Sequence, residues 1–232
     1  MRRKFIVATA VAVLLAACAV RAPLSPESKE QRPSGFPDDF YQRSAERDRP
    51  VFHIEPTLSL VVIEVRRSGS LAHLGHDHVI ASHNVRGYVA PNEARADLYI
   101  RLDELVVDEP ELRVQAAFGT QPTEAAIAGT RENMLGQFHA EQHPYAVISV
   151  GSVDADASGP WLNASITLNG ITRAVHIPVK IEQTAGQLIV NGRVALEQTN
   201  FGIVPFSILG GALQVQDRVD VRFVIHARRV PS

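Results

Sequence analysis

The chain has 232 residues, 45% hydrophobic and 21% charged, which suits a globular protein with room for one domain and a full core. Lys and Arg (23) do not outnumber Asp and Glu (25), so no nucleic-acid partner is indicated. With one cysteine, no disulfide can form within the chain.

The first four residues carry Arg2, Arg3 and Lys4, and an apolar stretch follows over residues 5–17. That stretch is too short to span a bilayer but fits the h-region of a signal peptide. It ends in Leu15-Ala16-Ala17-Cys18, which resembles the lipobox of bacterial lipoproteins. The resemblance implies cleavage before Cys18 and its lipidation with acyl chains of the palmitate class. Each buried methylene would add about 0.8 kcal/mol to membrane anchoring. A plain secretory signal ending near a cysteine is the alternative. Ala19 rather than Asp after the cysteine matches, by the same resemblance, sorting to the outer membrane, facing the periplasm. Removing residues 1–17 takes away three positive charges and leaves 20 basic and 25 acidic residues, a net charge of −5.

Residues 18–50 read as the lipidated cysteine and a tether, because five prolines and many charges interrupt any apolar period. Phe36, Phe40 and Tyr41 stand out there, and either docking or a short helix would suit them. From Val51 to the end, residues 51–232, the pattern turns to strands. Leu98 and Ile100 alternate with polar residues, as do Ile166 and Leu168, Ile177 and Val179, Val190 and Val194, and Val221 and Phe223. Less regular strands are expected at 57–67, 78–90 and 145–153. The first of these has apolar residues on both faces between Leu58 and Val65, which predicts cover on both sides. Asn169-Gly170, Ala185-Gly186 and Gly210-Gly211 mark turns. Ile127, Met134, Leu135 and Phe138 share one helical face, so one short helix flanks or caps the sheet. About eight antiparallel strands must close into a barrel or pack as a sandwich, and alternation alone fits both.

Several short stretches stand out in order along 51–230. They are His73-Leu74-Gly75, Gln137-Phe138 with His143-Pro144-Tyr145, and residues 168–175 (Leu-Asn-Gly-Ile-Thr-Arg-Ala-Val). After these come residues 199–207 (Thr-Asn-Phe-Gly-Ile-Val-Pro-Phe-Ser) and residues 215–219 (Val-Gln-Asp-Arg-Val). In these the chain resembles the YceI-like family of periplasmic, lipocalin-like proteins. The resemblance implies an all-β fold, an eight-stranded antiparallel barrel with an apolar tunnel that in some members holds a polyisoprenoid. A long prenyl chain offers many methylenes and little to hydrogen-bond, so a dry lumen suits it. Candidate lumen residues are Leu98, Ile100, Ile166, Leu168, Val190, Val194, Val221 and Phe223, with Phe201 and Phe206 closing one end. Each is equally well read as core filling.

Four of the nine histidines fall within residues 73–83. Extended backbone would put His76 and His78 on one face, and with His73 they could offer three imidazole nitrogens to Zn or Cu. A polar barrel rim, or a seat for the head of an amphiphile, accounts for them equally. His139 and His143 do not form the H-E-x-x-H of zinc peptidases. No nucleophile elbow or dinucleotide or phosphate loop occurs, so an enzyme is not expected. Three functions remain: an envelope lipoprotein that binds or carries an apolar small molecule or lipid, a periplasmic metal-binding protein, or an interaction barrel with a filled interior.

Overall fold

The computed structural model describes residues 32–231. The signal peptide, Cys18 and the first part of the expected tether lie outside the described residues.

In chain order the elements are α1 (Asp38–Glu46), β1 (Phe52–Ile54), β2 (Leu60–Ser68), β3 (His78–Ser82), β4 (Arg86–Ala90), β5 (Arg95–Arg101) and β6 (Val106–Val107). Helices α2 (Pro110–Gln115) and α3 (Glu124–Gln137) follow. The remaining strands are β7 (Tyr145–Asp156), β8 (Gly159–Leu168), β9 (Ile171–Gln183), β10 (Gln187–Glu197), β11 (Ser207–Ile208) and β12 (Leu213–Arg229).

Three of the early runs are strands broken in the middle. Pro56 opens a 3-10 turn between β1 and β2, and the Leu102–Glu104 turn separates β5 from β6. The region 78–90, expected as one strand, is broken at residues 83–85 into β3 and β4. The pairing nonetheless continues across each break. Phe52 faces Val89 and Val61 faces Ser82, while Gly87 faces Leu98 and Ile80 faces Val107. Counted as β1/β2, β3/β4 and β5/β6, these runs join β7, β8, β9, β10 and β12 in an antiparallel meander. It closes because β12 pairs with β10 along one edge and with β2 and β1 along the other. The result is an eight-stranded barrel, and closure removes the free sheet edges.

Alternation sorts the side chains. Val61 and Ile63 point inward, whereas Val62, fully buried, points outward with Val79 and Ala81 against Leu112 and Phe118 beside α2. Strand β2 is therefore covered on both faces, as its doubled apolar run predicts. The hairpin at Asn169-Gly170 has φ of 52° and 71°, the positive pair that a two-residue turn between twisted strands requires.

The folded unit begins at Pro33, not at Val51 as the proline-rich composition suggests. Phe36, Phe40 and Tyr41 explain the difference. Tyr41 is 2% exposed, stacks on Tyr88 at 5.1 Å, and its hydroxyl donates to Asp97 Oδ2 at 2.8 Å. Arg95 Nε donates to the same oxygen at 2.8 Å, and its guanidinium lies 4.3 Å from the Phe40 ring centroid. Phe36 packs edge-on against Tyr99 at 5.0 Å. Burial first, and then the Asp97 carboxylate, push the Tyr41 phenol far above its ordinary range. Helix α1 is thus both helix and dock, on the outer face of β4 and β5.

Candidate functional site

Inside the barrel is a cavity of about 530 Å³. That falls within the range of small-molecule sites, roughly 300–1,000 Å³. Its wall is almost wholly apolar, with Ser82, Arg95 and Gln183 the polar lining residues. Leu98 and Ile100 from β5, Ile166 and Leu168 from β8, Val190 and Val194 from β10, and Val221 and Phe223 from β12 all line it. The alternating strands place them there, because every second side chain of a barrel strand points in. Sequence reasoning missed Val61, Ile63, Ile148 and Leu188 on the same wall, and Phe138, which reaches in from the end of α3. Ile148 and Val150 alternate across Ser149 within 145–153, so that signal was present; Phe138 was already on the apolar face of the helix.

Gly192 adds room for an aromatic ring. A Cβ there would sit 2.4 Å from Phe223 Cζ, so only glycine leaves the phenyl ring its place.

Phe201 and Phe206 do not line the cavity. Strand β10 ends at Glu197, the chain leaves the barrel wall in the Gln198–Phe201 turn, and the two-residue period stops with it. Phe201 is 2% exposed in that turn, which packs on β9, β10 and β12; Phe206 is 39% exposed.

The two ends of the cavity differ. At one, Met134 is buried and Ile127, Leu135, Phe138 and Ala140 around α3 pack onto the core. At the other, formed by the β4–β5, β7–β8 and β9–β10 turns, the lining residues Val153 and Gln183 are exposed and mark the mouth.

The histidines do not assemble a metal site. His73 is exposed in the Ala72–Leu74 turn. The His76 and His78 rings lie 6.3 Å apart, but both His78 nitrogens have partners. Its Nδ1 is 2.6 Å from Asp108 Oδ2 and its Nε2 is 3.5 Å from Thr130 Oγ1 on α3. Asp108, with its side chain wholly buried, also accepts from the Val79 N–H at 3.0 Å and from Arg113. Burial works against the Asp108 carboxylate, yet the hydrogen bonds from His78, Val79 and Arg113 outweigh it and hold its pKa below the ordinary value. Among the described residues no three His, Cys, Asp or Glu side chains are placed to hold one ion. His78 is therefore a structural link between β3 and α3 rather than a ligand, and the expectation of Zn or Cu at His73, His76 and His78 is corrected.

The short motifs gather at the α3 end, where Phe138 and Leu168 also reach the cavity. His139 Nδ1 is 2.8 Å from Asn169 Oδ1, Asn169 Nδ2 donates to the Phe201 carbonyl at 3.2 Å, and the Thr199 N–H donates to Asp217 Oδ1 at 2.8 Å. They knit the turns that follow α3, β8 and β10 into the closed end.

No curated protein matches the chain. Among solved structures, a polyisoprenoid binding domain from Saccharophagus degradans, implicated in plant cell wall breakdown, has a TM-score of 0.53 at 12% identity; the match covers 77% of this chain and 98% of that one. Burkholderia cenocepacia BcnA gives a TM-score of 0.48 at 15% identity over 75% of this chain and 98% of that one. The Campylobacter jejuni YceI protein gives 0.41 at 13% identity over 61% and 77%. The family model described as the YceI-like domain matches residues 64–227, nearly the whole of the closed barrel and both helices inserted in it, and the chain belongs to the YceI-like family.

Proposed function

We propose that this protein is an envelope lipoprotein that binds or carries an apolar amphiphile, such as a polyisoprenoid, with the chain of the ligand inside the barrel. It acts by holding its ligand, not by catalysis. The observation that carries the reading is the cavity of about 530 Å³ whose wall is almost entirely aliphatic and aromatic. Such a wall offers an isoprenoid chain about 0.8 kcal/mol for each buried methylene and asks for no hydrogen bonds in return. The likeness in fold to a solved structure described as a polyisoprenoid binding domain supports the choice of ligand. The basic, apolar and small-residue regions before Cys18 support the anchor, which would hold the protein to the outer membrane on its periplasmic side.

The reading is tested on full-length protein isolated from its native envelope. Organic extraction followed by mass spectrometry should release a long-chain apolar compound, and emptied protein should take up added polyprenol. Protein that arrives empty and takes up no polyprenol would refute it. For the anchor, the mature N-terminus should be an acylated Cys18, and Cys18→Ser should release the protein from membranes.

A further inference from the structure

Beyond β10 the chain builds a hairpin that takes no part in the cavity. Strand β11 pairs with the start of β12, Ser207 opposite Gln214 and Ile208 opposite Leu213, and the Leu209–Gly211 turn joins them. No charged residue occurs from Gln198 to Gln216, and between Ile203 and Leu213 the one polar side chain is that of Ser207. Burial does not account for this composition. Val204 is 69% exposed and Leu209 68%, with Phe206 and Ile208 exposed between them. Leu209 also holds a φ of 53°, a left-handed backbone that strains a bulky side chain.

The turn between β2 and β3 holds this hairpin in place. The Leu71 N–H donates to the Ala212 carbonyl at 2.8 Å. Gly69, at a φ of 93°, lets the two backbones approach, since a Cβ there would lie 2.7 Å from the Gly211 carbonyl oxygen. A Cβ on Gly75 would lie 2.8 Å from Leu213 Cδ1. The His73-Leu74-Gly75 stretch is thus fitted to the hairpin, and Leu74, 62% exposed, adds a further apolar side chain beside it.

We infer that this hairpin seats its apolar tip in a lipid bilayer, with the closed end of the barrel toward the membrane and the mouth away from it. The inference goes beyond the proposed ligand, and it uses the proposed envelope location for the choice of a membrane as partner. Two observations favour a bilayer over a protein. A protein interface surrounds its apolar centre with polar and charged groups, whereas a bilayer asks only for apolar side chains at the boundary of head groups and acyl chains. The chain also enters the folded unit from the same end. Phe36 packs on Tyr99, near the end of β5 where Arg101 faces Tyr145, and α1 then runs toward the β4–β5 turn, where Ser44 and Arg49 donate to Glu93. Residues 19–32, fully extended, span at most about 50 Å, so an anchor at Cys18 keeps this end close to the membrane. Because β11 pairs only with β12, its free backbone groups limit the tip to the interface rather than the hydrocarbon core.

The test uses the full mature chain with Cys18→Ser, so that no acyl chain contributes, and vesicles of phosphatidylcholine. Protein should float with vesicles at millimolar lipid, weakly enough to be released on washing, and the binding should not depend on salt because the tip carries no charge. Leu209→Asp should weaken it about tenfold or more, the worth of burying one large apolar side chain, with polyprenol uptake unchanged. Asp tolerates the left-handed backbone better than Leu. Val204→Asn, at a separate exposed position, should act in the same direction and covers the case in which Leu209→Asp does not fold. The single tryptophan, Trp161, lies near the β7–β8 turn at the mouth. Its fluorescence should escape quenching by brominated phosphatidylcholine, whereas Leu209→Trp/Trp161→Phe should be quenched. Absence of vesicle binding overturns the inference, and self-association lost in Leu209→Asp would then assign the hairpin to a second copy of the chain. Binding unchanged in both variants overturns it, as does quenching of Trp161 in place of the tryptophan at 209, since the mouth then faces the membrane. Vesicle binding by a protein whose native Cys18 proves unacylated leaves the inference standing while the proposed anchor falls.

Discussion

At one end of the barrel, α3 lays Met134, Leu135 and Phe138 over the strands, and the charges of Asp108 and Arg113 are sealed beneath a web of hydrogen bonds. At the other, three tight turns leave Val153 and Gln183 exposed at the edge of the cavity, with no α-helix across them among the described residues. The comparison separates two tasks that a solid core would merge. The closed end concentrates polar specificity and stability, while the middle and the open end can stay hollow because they are not asked to supply them.

The largest expected effect is at the closed end. Arg113→Met strands the Asp108 carboxylate in the interior and should cost about 3–5 kcal/mol in urea denaturation. The same network has a pH signature. The folded state holds the Asp108 pKa below its unfolded value, so the stabilisation is complete above the ordinary carboxylate pKa and is lost as pH falls through the depressed one. In wild type, stability should fall on acidification toward that point, and Arg113→Met should lose part of this dependence. Unchanged stability in the variant would remove the distinction between the two ends.

Next comes the dock of α1. Tyr41→Phe takes one donor from Asp97, which is 3% exposed, and should cost about 1.5–3 kcal/mol by the same measurement, with polyprenol uptake unaltered. In the cavity the expectation reverses. Leu98 and Ile166 both lie beside Ile148 across the sheet. In a filled core, enlarging either would cost about 1–3 kcal/mol in strain. In a hollow one, Leu98→Phe/Ile166→Phe should cost less than about 1 kcal/mol and sharply cut polyprenol uptake; a large loss of stability would say that the lumen is packed solid. Smallest is the exposed ion pair that joins the α1 segment to the β4–β5 turn. Arg49 is half exposed and 2.9 Å from Glu93, so Arg49→Ala should cost only about 0.2–1 kcal/mol.

The same contrast governs what could be read from the sequence. Strands β5, β8, β9, β10 and β12 were legible because one face is wet and the other dry, which writes a period of two into the chain. That period placed the eight residues on one face of their strands; that the face lines a tunnel was implied by the family resemblance. The breaks at Pro56 and at residues 83–85 were not legible, since each leaves the alternation on both sides intact and only the pairing partners reveal the interruption. Helix α1 hid in a proline-rich window whose aromatic residues have meaning only against Tyr88, Tyr99 and Asp97, about fifty residues away in the chain. The histidine run misled because spacing along a strand says nothing about Asp108 and Thr130, which arrive from other elements and take both nitrogens of His78. Phe201 is buried in a turn at the closed end, whereas Phe206 is 39% exposed, and neither lines the cavity because both lie beyond the end of β10.

Holding a chain-like ligand requires a cavity that is empty of protein and open to it. Crystals of the mature protein soaked or grown with a polyprenol test this most directly. Continuous density should run along Leu98, Ile166 and Phe223. Side chains meeting across the lumen, with the lipid absent or lying on the outer surface, would contradict it.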